Sequence, residues 1–268
     1  MVDNKNISVL IIGCGNMGSA LVRGWLKNGL NNISILTPDT PPKNITGKCQ
    51  TWFTSPEEIH QDFDVIVLAV KPQILKNVCE SLTSIVKDTT LILSVAAGKS
   101  LPVLAEYFPK MIPIIRTMPN LPASIGAGVS VCISNSQCQK HHIDIAEMLI
   151  SSVGTVEWIT DEHLMDAVTA VSGSGPAYLF HLLESMTKAG IVCGLPKELS
   201  KKLARQTIIG SAQILDARDE LTATQLRENV TSKGGTTEAA LNVLMKNDVF
   251  STLVEEAIKS AKKRSEEL

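Results

Sequence analysis

The feature that most constrains this chain is a glycine string set between a strand and a helix. Ile7 to Ile12 reads as a buried strand, and Gly13-Cys14-Gly15-Asn16-Met17-Gly18 follows it directly. The same string opens a helix over Asn16 to Asn28, ended by Gly29. In that setting G-x-G-x-x-G is a dinucleotide-binding pattern. The first glycine allows the turn, the second admits the pyrophosphate and the third lets helix and strand pack closely. Taken alone, the string also fits a tight strand–helix turn with no ligand.

The alternation continues. Ile33 to Leu36, Thr51 to Phe53, Asp64 to Val70, Thr90 to Ala96, Ile112 to Arg116 and Gly128 to Ile133 read as strands. Helices follow Lys71-Pro72 as far as Leu82, and run near Leu101 to Phe108. Strands alternating with helices imply an α/β fold, a parallel, doubly wound, Rossmann-like sheet with right-handed crossovers. After about Ile159 the pattern becomes all-α. Leu164 to Val171, Ala177 to Ala189, Lys197 to Leu215, Thr222 to Asn229, Thr237 to Leu244 and Val249 to Glu267 show helical spacing. The expected division is 1–160 and 161–268.

Composition narrows the functions available. The 268 residues are 44% hydrophobic and carry a formal charge of -2, which gives no reason to expect nucleic acid. No apolar run is long enough to span a membrane, and Met1 to Asn6 lacks the build of a signal peptide. Cys14, Cys49, Cys79, Cys132, Cys138 and Cys193 form no Cys-x-x-Cys, and no cysteine–histidine cluster has zinc spacing. Reduced thiols, no metal and a cytoplasmic location are expected.

Ligands of open α/β sheets gather at the carboxyl ends of strands. Ala69-Val70-Lys71-Pro72 ends the strongest strand, and Lys71 either lies along a dinucleotide or is solvated. The small residues of Ala96-Ala97-Gly98 leave room for a nicotinamide. Asp39 either meets an adenosine ribose or closes a turn after Pro38, whereas Thr37 and Lys43 favour a 2′-phosphate. The choice between NADH and NADPH stays open. Asn120, in Met118-Pro119-Asn120, either hydrogen-bonds a reacting group or serves a turn. Ser172-Gly173-Ser174-Gly175-Pro176-Ala177-Tyr178 reads as a glycine loop opening the main helix of the second part. Near the end, Asn229-Val230-Thr231-Ser232-Lys233-Gly234-Gly235-Thr236-Thr237 precedes another helical pattern. Bare N–H groups at a helix start, with glycines and hydroxyls around them, suit a small carboxylate.

In order and over nearly the whole chain, these motifs resemble pyrroline-5-carboxylate reductase. One departure is Lys233, where that family often has proline. The resemblance implies reduction of the cyclic imine 1-pyrroline-5-carboxylate to L-proline with NADPH or NADH. It implies a dinucleotide-binding domain followed by a helical dimerisation and substrate domain, in homodimers that commonly build a decamer. Cofactor contacts are then expected at Gly13, Cys14, Gly15, Asn16, Met17, Gly18, Thr37, Ser55, Ala69, Val70, Lys71, Pro72, Ala96, Ala97, Gly98 and Asn229. Substrate contacts are expected at Ser232, Gly234, Gly235, Thr236 and Asn120, with Thr237 toward the imine nitrogen. A 3-hydroxyacid dehydrogenase of similar architecture would use a lysine where this chain has Leu179. A non-catalytic dinucleotide-binding protein would need no intact carboxylate loop.

Overall fold

The computed structural model describes residues 7–39, 45, 51–108 and 111–267. Its first part runs β1 (Val9–Ile12), α1 (Asn16–Lys27), β2 (Ile33–Leu36), β3 (Thr51–Phe53), β4 (Val65–Leu68), α2 (Leu75–Ser81), β5 (Leu91–Ser94), α3 (Leu101–Glu106) and β6 (Ile114–Met118). It continues through β7 (Gly128–Ser134), α4 (Lys140–Ser151), β8 (Gly154–Trp158) and α5 (Met165–Val168). The remainder is α6 (Gly175–Val192), α7 (Lys197–Ala217), α8 (Ala223–Asn229), α9 (Thr236–Leu244) and α10 (Val249–Glu266).

Strands β1, β2, β4 and β5 are buried throughout, because a sheet covered on both faces needs apolar side chains on both. Alternate residues serve separate cores. Leu10, Ile12, Ile66, Leu68 and Ile92 pack with Leu75, Cys79 and Leu104 from α2 and α3. Val9, Ile11, Val65, Val67 and Leu91 pack with Leu21, Trp25, Leu149 and Ile150 from α1 and α4. The Trp25 indole N–H, buried among these, donates to the Leu149 carbonyl at 2.8 Å.

The sheet order is β3-β2-β1-β4-β5-β6-β7-β8. The expectation of a parallel sheet fails at one place: β6 and β7 are antiparallel. The connection 119–127 is the reason. Parallel neighbours need a crossover of about a dozen residues or more, whereas this link holds only a short 3-10 turn at Leu121–Ile125. Two elements lie where the sequence reading assigned none, α4 and the edge strand β8, which pairs in parallel with β7.

The described chain forms two compact units. One takes the residues up to Ser174 together with 261–267; the other is Gly175–Ser260. In the second unit, Ser200 of α7 donates its hydroxyl to the Thr187 carbonyl of α6 at 2.7 Å. Only Ser200 and Ala204 of α7 are buried, while Val192, Val243 and Leu253 are 87%, 70% and 62% exposed. Apolar side chains this open mark an association surface. No helix among the described residues is long and apolar enough to cross a membrane.

Candidate active site

The glycine string has the geometry its spacing implies. Gly13 takes a φ of +90°, and a Cβ there would stand 2.8 Å from the Ala69 carbonyl oxygen. A Cβ on Gly18 would fall 2.2 Å from the Gly13 oxygen. At Gly15 a Cβ meets nothing within 4 Å. The middle glycine therefore faces open space, while the outer two serve the fold. Gly15 is the N-cap of α1, and no side chain caps the first-turn N–H groups of Asn16, Met17 and Gly18. Those donors and the positive end of the helix are free for a phosphate. The Cys14 carbonyl receives the Ser19 hydroxyl at 2.7 Å, which fixes the loop from behind.

Strand register sets the other cofactor candidates beside this loop. Ile12 stands level with Leu36 and Leu68, and Leu68 with Ser94, so the segments that follow emerge at one edge. Ala69 and Val70 are half-buried there, and the exposed Lys71 precedes a 3-10 turn begun by Pro72. The Ala96 side chain joins the core, leaving the half-buried Ala97 and Gly98 more open. Thr37 is buried; its carbonyl accepts the Trp52 indole N–H at 3.1 Å and its hydroxyl accepts the Asp39 N–H at 3.4 Å. Ser55 accepts the Glu57 N–H as an N-cap and donates its hydroxyl to the Glu57 carboxylate. Lys43 lies outside the described residues.

Asn120 uses its side-chain oxygen to accept the Val129 N–H at 3.0 Å, closing the β6–β7 link, and keeps its NH2 group. The Ser172–Gly175 stretch is not the loop expected. Thr169–Gly173 is a π-helical turn, marked by the Ser174 N–H donating to the Thr169 carbonyl at 2.9 Å. Gly173 lets Met118 approach, since a Cβ there would stand 2.6 Å from the Met118 Cε. The wide turn leaves the Ser172 hydroxyl buried without a hydrogen-bond partner. Such π-turns recur at functional sites.

One pair escaped the sequence reading. Glu162 Oε1 accepts both the Leu101 N–H and an Arg116 guanidinium N–H, each at 2.8 Å. It thereby ties the start of α3, just past Gly98, to β6, just before Met118. An arginine inside an otherwise apolar strand was the available signal, because a buried charge demands a partner.

In the second unit, Asn229 ends α8 and is exposed. Ser232 to Gly235 form a turn closed by the Gly235 N–H donating to the Ser232 carbonyl at 3.0 Å. Gly235 is the N-cap of α9 and supplies no side-chain cap. The N–H groups of Thr236 and Thr237 are thus first-turn donors. Thr237 is half-buried, and Thr236 is exposed.

Over nearly its whole length the chain is similar to known proteins. A family model of NADP oxidoreductase, coenzyme F420-dependent, matches residues 8–98, and one of pyrroline-5-carboxylate reductase dimerisation matches 162–268. The pyrroline-5-carboxylate reductase of Pseudomonas aeruginosa is 40% identical over 265 residues, covering 97% of this chain and 96% of that protein. The structure of a pyrroline-5-carboxylate reductase from Coxiella burnetii matches with a TM-score of 0.90 at 34% identity, covering 98% of each chain. The Plasmodium falciparum pyrroline carboxylate reductase, solved with NADP bound, matches with a TM-score of 0.84 at 32% identity and covers 98% of each chain. With that identity sustained from end to end, and with the exposed apolar helices falling inside the matched dimerisation segment, the chain belongs to the pyrroline-5-carboxylate reductase family.

Proposed function

We propose that this chain reduces 1-pyrroline-5-carboxylate to L-proline with NADPH or NADH, the last step of proline biosynthesis. The observation that carries the reading is the presence of two uncapped helix starts in a chain of this family. The one at Gly15 has room for a pyrophosphate, and the one at Gly235 suits a carboxylate.

The assigned residues divide the work. The N–H groups of Asn16, Met17 and Gly18 hold the pyrophosphate, with Cys14 and Gly15 lining its approach. Ala69 to Pro72 and Ala96 to Gly98 flank the dinucleotide, Thr37 and Ser55 stand toward its adenosine end, and Asn229 is assigned to it as well. When bound, the reduced nicotinamide supplies the hydride that the C=N carbon accepts. Ser232, Gly234, Gly235 and Thr236 form the turn and helix start that receive the substrate carboxylate, the glycines shaping its approach, and so fix where that carbon sits; correct placement alone lowers the barrier substantially. Asn120 offers its NH2 group to the substrate. Thr237 hydrogen-bonds the imine nitrogen, which ends the reaction carrying a proton. A threonine hydroxyl is a weak acid at neutral pH, so Thr237 orients or relays that proton rather than supplying it.

We place the functional division near residue 160, with 1–160 binding the dinucleotide and 161–268 serving dimerisation and substrate. The matched dimerisation segment, which begins at residue 162, supports that boundary. Homodimers assembled into a decamer are the working form we propose. A reducing, cytoplasmic setting fits the free cysteines at 14, 79, 132, 138 and 193. Loss of nicotinamide absorbance with 1-pyrroline-5-carboxylate, run in parallel with NADPH and NADH, tests the activity. Absence of oxidation with either, in folded protein that still binds the dinucleotide, rules the proposal out.

A further inference from the structure

The turn ahead of α9 already holds a carboxylate of its own. Glu238 Oε2 accepts the Gly234 N–H at 2.7 Å. Glu238 is the third residue of α9, so its side chain reaches back over one turn to the residue before the N-cap. Gly234 takes a φ of +74°, and Lys233 is not among the residues with positive φ. With the Gly235 N–H on the Ser232 carbonyl, this is a type II turn over 232–235, which requires glycine at its third position. Proline at the second position would stiffen such a turn by presetting φ, but lysine leaves it free. The hydrogen bond from Gly234 to Glu238 supplies a restraint that lysine cannot.

This bond also settles which donors face outward. The N–H groups of Gly234 and Gly235 are both engaged inside the turn. Those of Thr236 and Thr237 are the uncapped first-turn donors. A substrate carboxylate therefore meets the helix start itself, and the paired glycines shape the approach.

We propose that Glu238 is a positioning residue for substrate binding. Its carboxylate clamps Gly234 so that the turn holds the Thr236 and Thr237 N–H groups ready for the substrate carboxylate. The role belongs to its acceptor oxygen and not to its charge, since a second negative charge beside an anion site is itself unfavourable. This inference rests on the imine-reductase reading above.

The test uses full-length wild type, Glu238→Ala and Glu238→Gln. Steady-state kinetics with 1-pyrroline-5-carboxylate and NADPH should show KM for the imine raised roughly three- to tenfold in Glu238→Ala, the loss of one partly exposed hydrogen bond to a charged group. KM for NADPH should stay within about twofold, and Glu238→Gln should return KM for the imine to near the wild-type value or below it. Amide exchange over residues 229–241, measured without ligand, should quicken in Glu238→Ala and not in Glu238→Gln, at an unchanged melting temperature. Wild-type turnover with an unaltered or lowered imine KM in Glu238→Ala overturns the clamp alone. A Glu238→Gln variant as impaired as Glu238→Ala does the same. Wild type that fails to turn over the imine overturns the reductase reading and the clamp with it.

Discussion

Arg116 and Glu162 form an ion pair at 2.8 Å, with only 6% and 23% of their side chains exposed. The same Glu162 oxygen accepts the Leu101 N–H, so one carboxylate joins β6 to the start of α3. Removing one member of a buried pair strands the other charge away from water. Arg116→Met should destabilise the protein by about 3 kcal/mol, the low end for such a loss because Glu162 keeps some solvent. Replacing Glu162 by Met in the same chain should recover most of that loss, because no charge is then left unpaired. Urea unfolding midpoints of the three proteins check both statements. Equal instability of single and double variants would mean that packing, and not charge, decides this position.

The three glycines of the first loop separate fold from binding. A methyl group at Gly18 meets the Gly13 carbonyl oxygen at 2.2 Å, so Gly18→Ala should cost about 1–3 kcal/mol of stability. At Gly15 φ is -70° and a Cβ meets no protein atom within 4 Å, so Gly15→Ala should fold with a loss of about 1 kcal/mol or less. Its methyl would occupy the space proposed for the pyrophosphate, and NADPH should bind about tenfold more weakly or worse, a change of about 1.4 kcal/mol or more. Thermal melts and calorimetric titration with NADPH distinguish the two. Unimpaired NADPH binding by Gly15→Ala would place the pyrophosphate elsewhere.

Thr237 sits one residue inside α9, half-buried beside the proposed carboxylate donors. Thr237→Ala should lower kcat roughly ten- to a hundredfold, the scale of a positioned proton-handling group, with NADPH affinity unchanged. Thr237→Ser, which retains the hydroxyl, should recover most of the rate. Single-turnover measurements make the comparison free of product release. Unchanged turnover in the alanine variant removes Thr237 from the mechanism.

His142 predicts a pH dependence of stability. Its Nδ1 accepts the Gln139 N–H at 3.0 Å, so the ring is neutral with its proton on Nε2. Burial, followed by the neighbouring His141, lowers the pKa below the ordinary 6.5 and outweighs the Thr89 backbone group, which favours the charged ring. The unfolded chain then binds a proton at a pH where the folded chain does not, so stability rises with pH across that window. The contribution is complete above about pH 6.5 and is lost as pH falls from there toward the depressed native value. Melting temperatures between pH 7 and pH 5 should fall more steeply in wild type than in His142→Gln. Parallel slopes would show that other groups govern the acid limb.

Local signals carried much of this protein in its sequence. Gly13, Gly15 and Gly18, placed between an apolar strand and an amphipathic helix, specify a dinucleotide loop, because the positive φ at Gly13 and the contact of Gly18 with the Gly13 oxygen are set within a few residues and Gly15 leaves the helix start open. The paired glycines before α9 were legible for the same reason. Nonlocal relationships were not. The antiparallel pairing of β6 and β7 depends on how little chain lies between them, and β8 depends on β7 offering an edge. The π-turn at Thr169–Gly173 shares its composition with a loop, and what distinguishes it is the Ser174-to-Thr169 hydrogen bond and the room it makes for Met118. Glu162 and Arg116 lie far apart along the chain and are joined only by the sheet. Sequence by itself determined the residues that must be glycine, apolar or hydroxyl-bearing, since those demands are short-range. Tertiary structure alone decided which donors remain free, because a hydrogen bond such as Gly234 to Glu238 exists only once the turn and the helix have formed together.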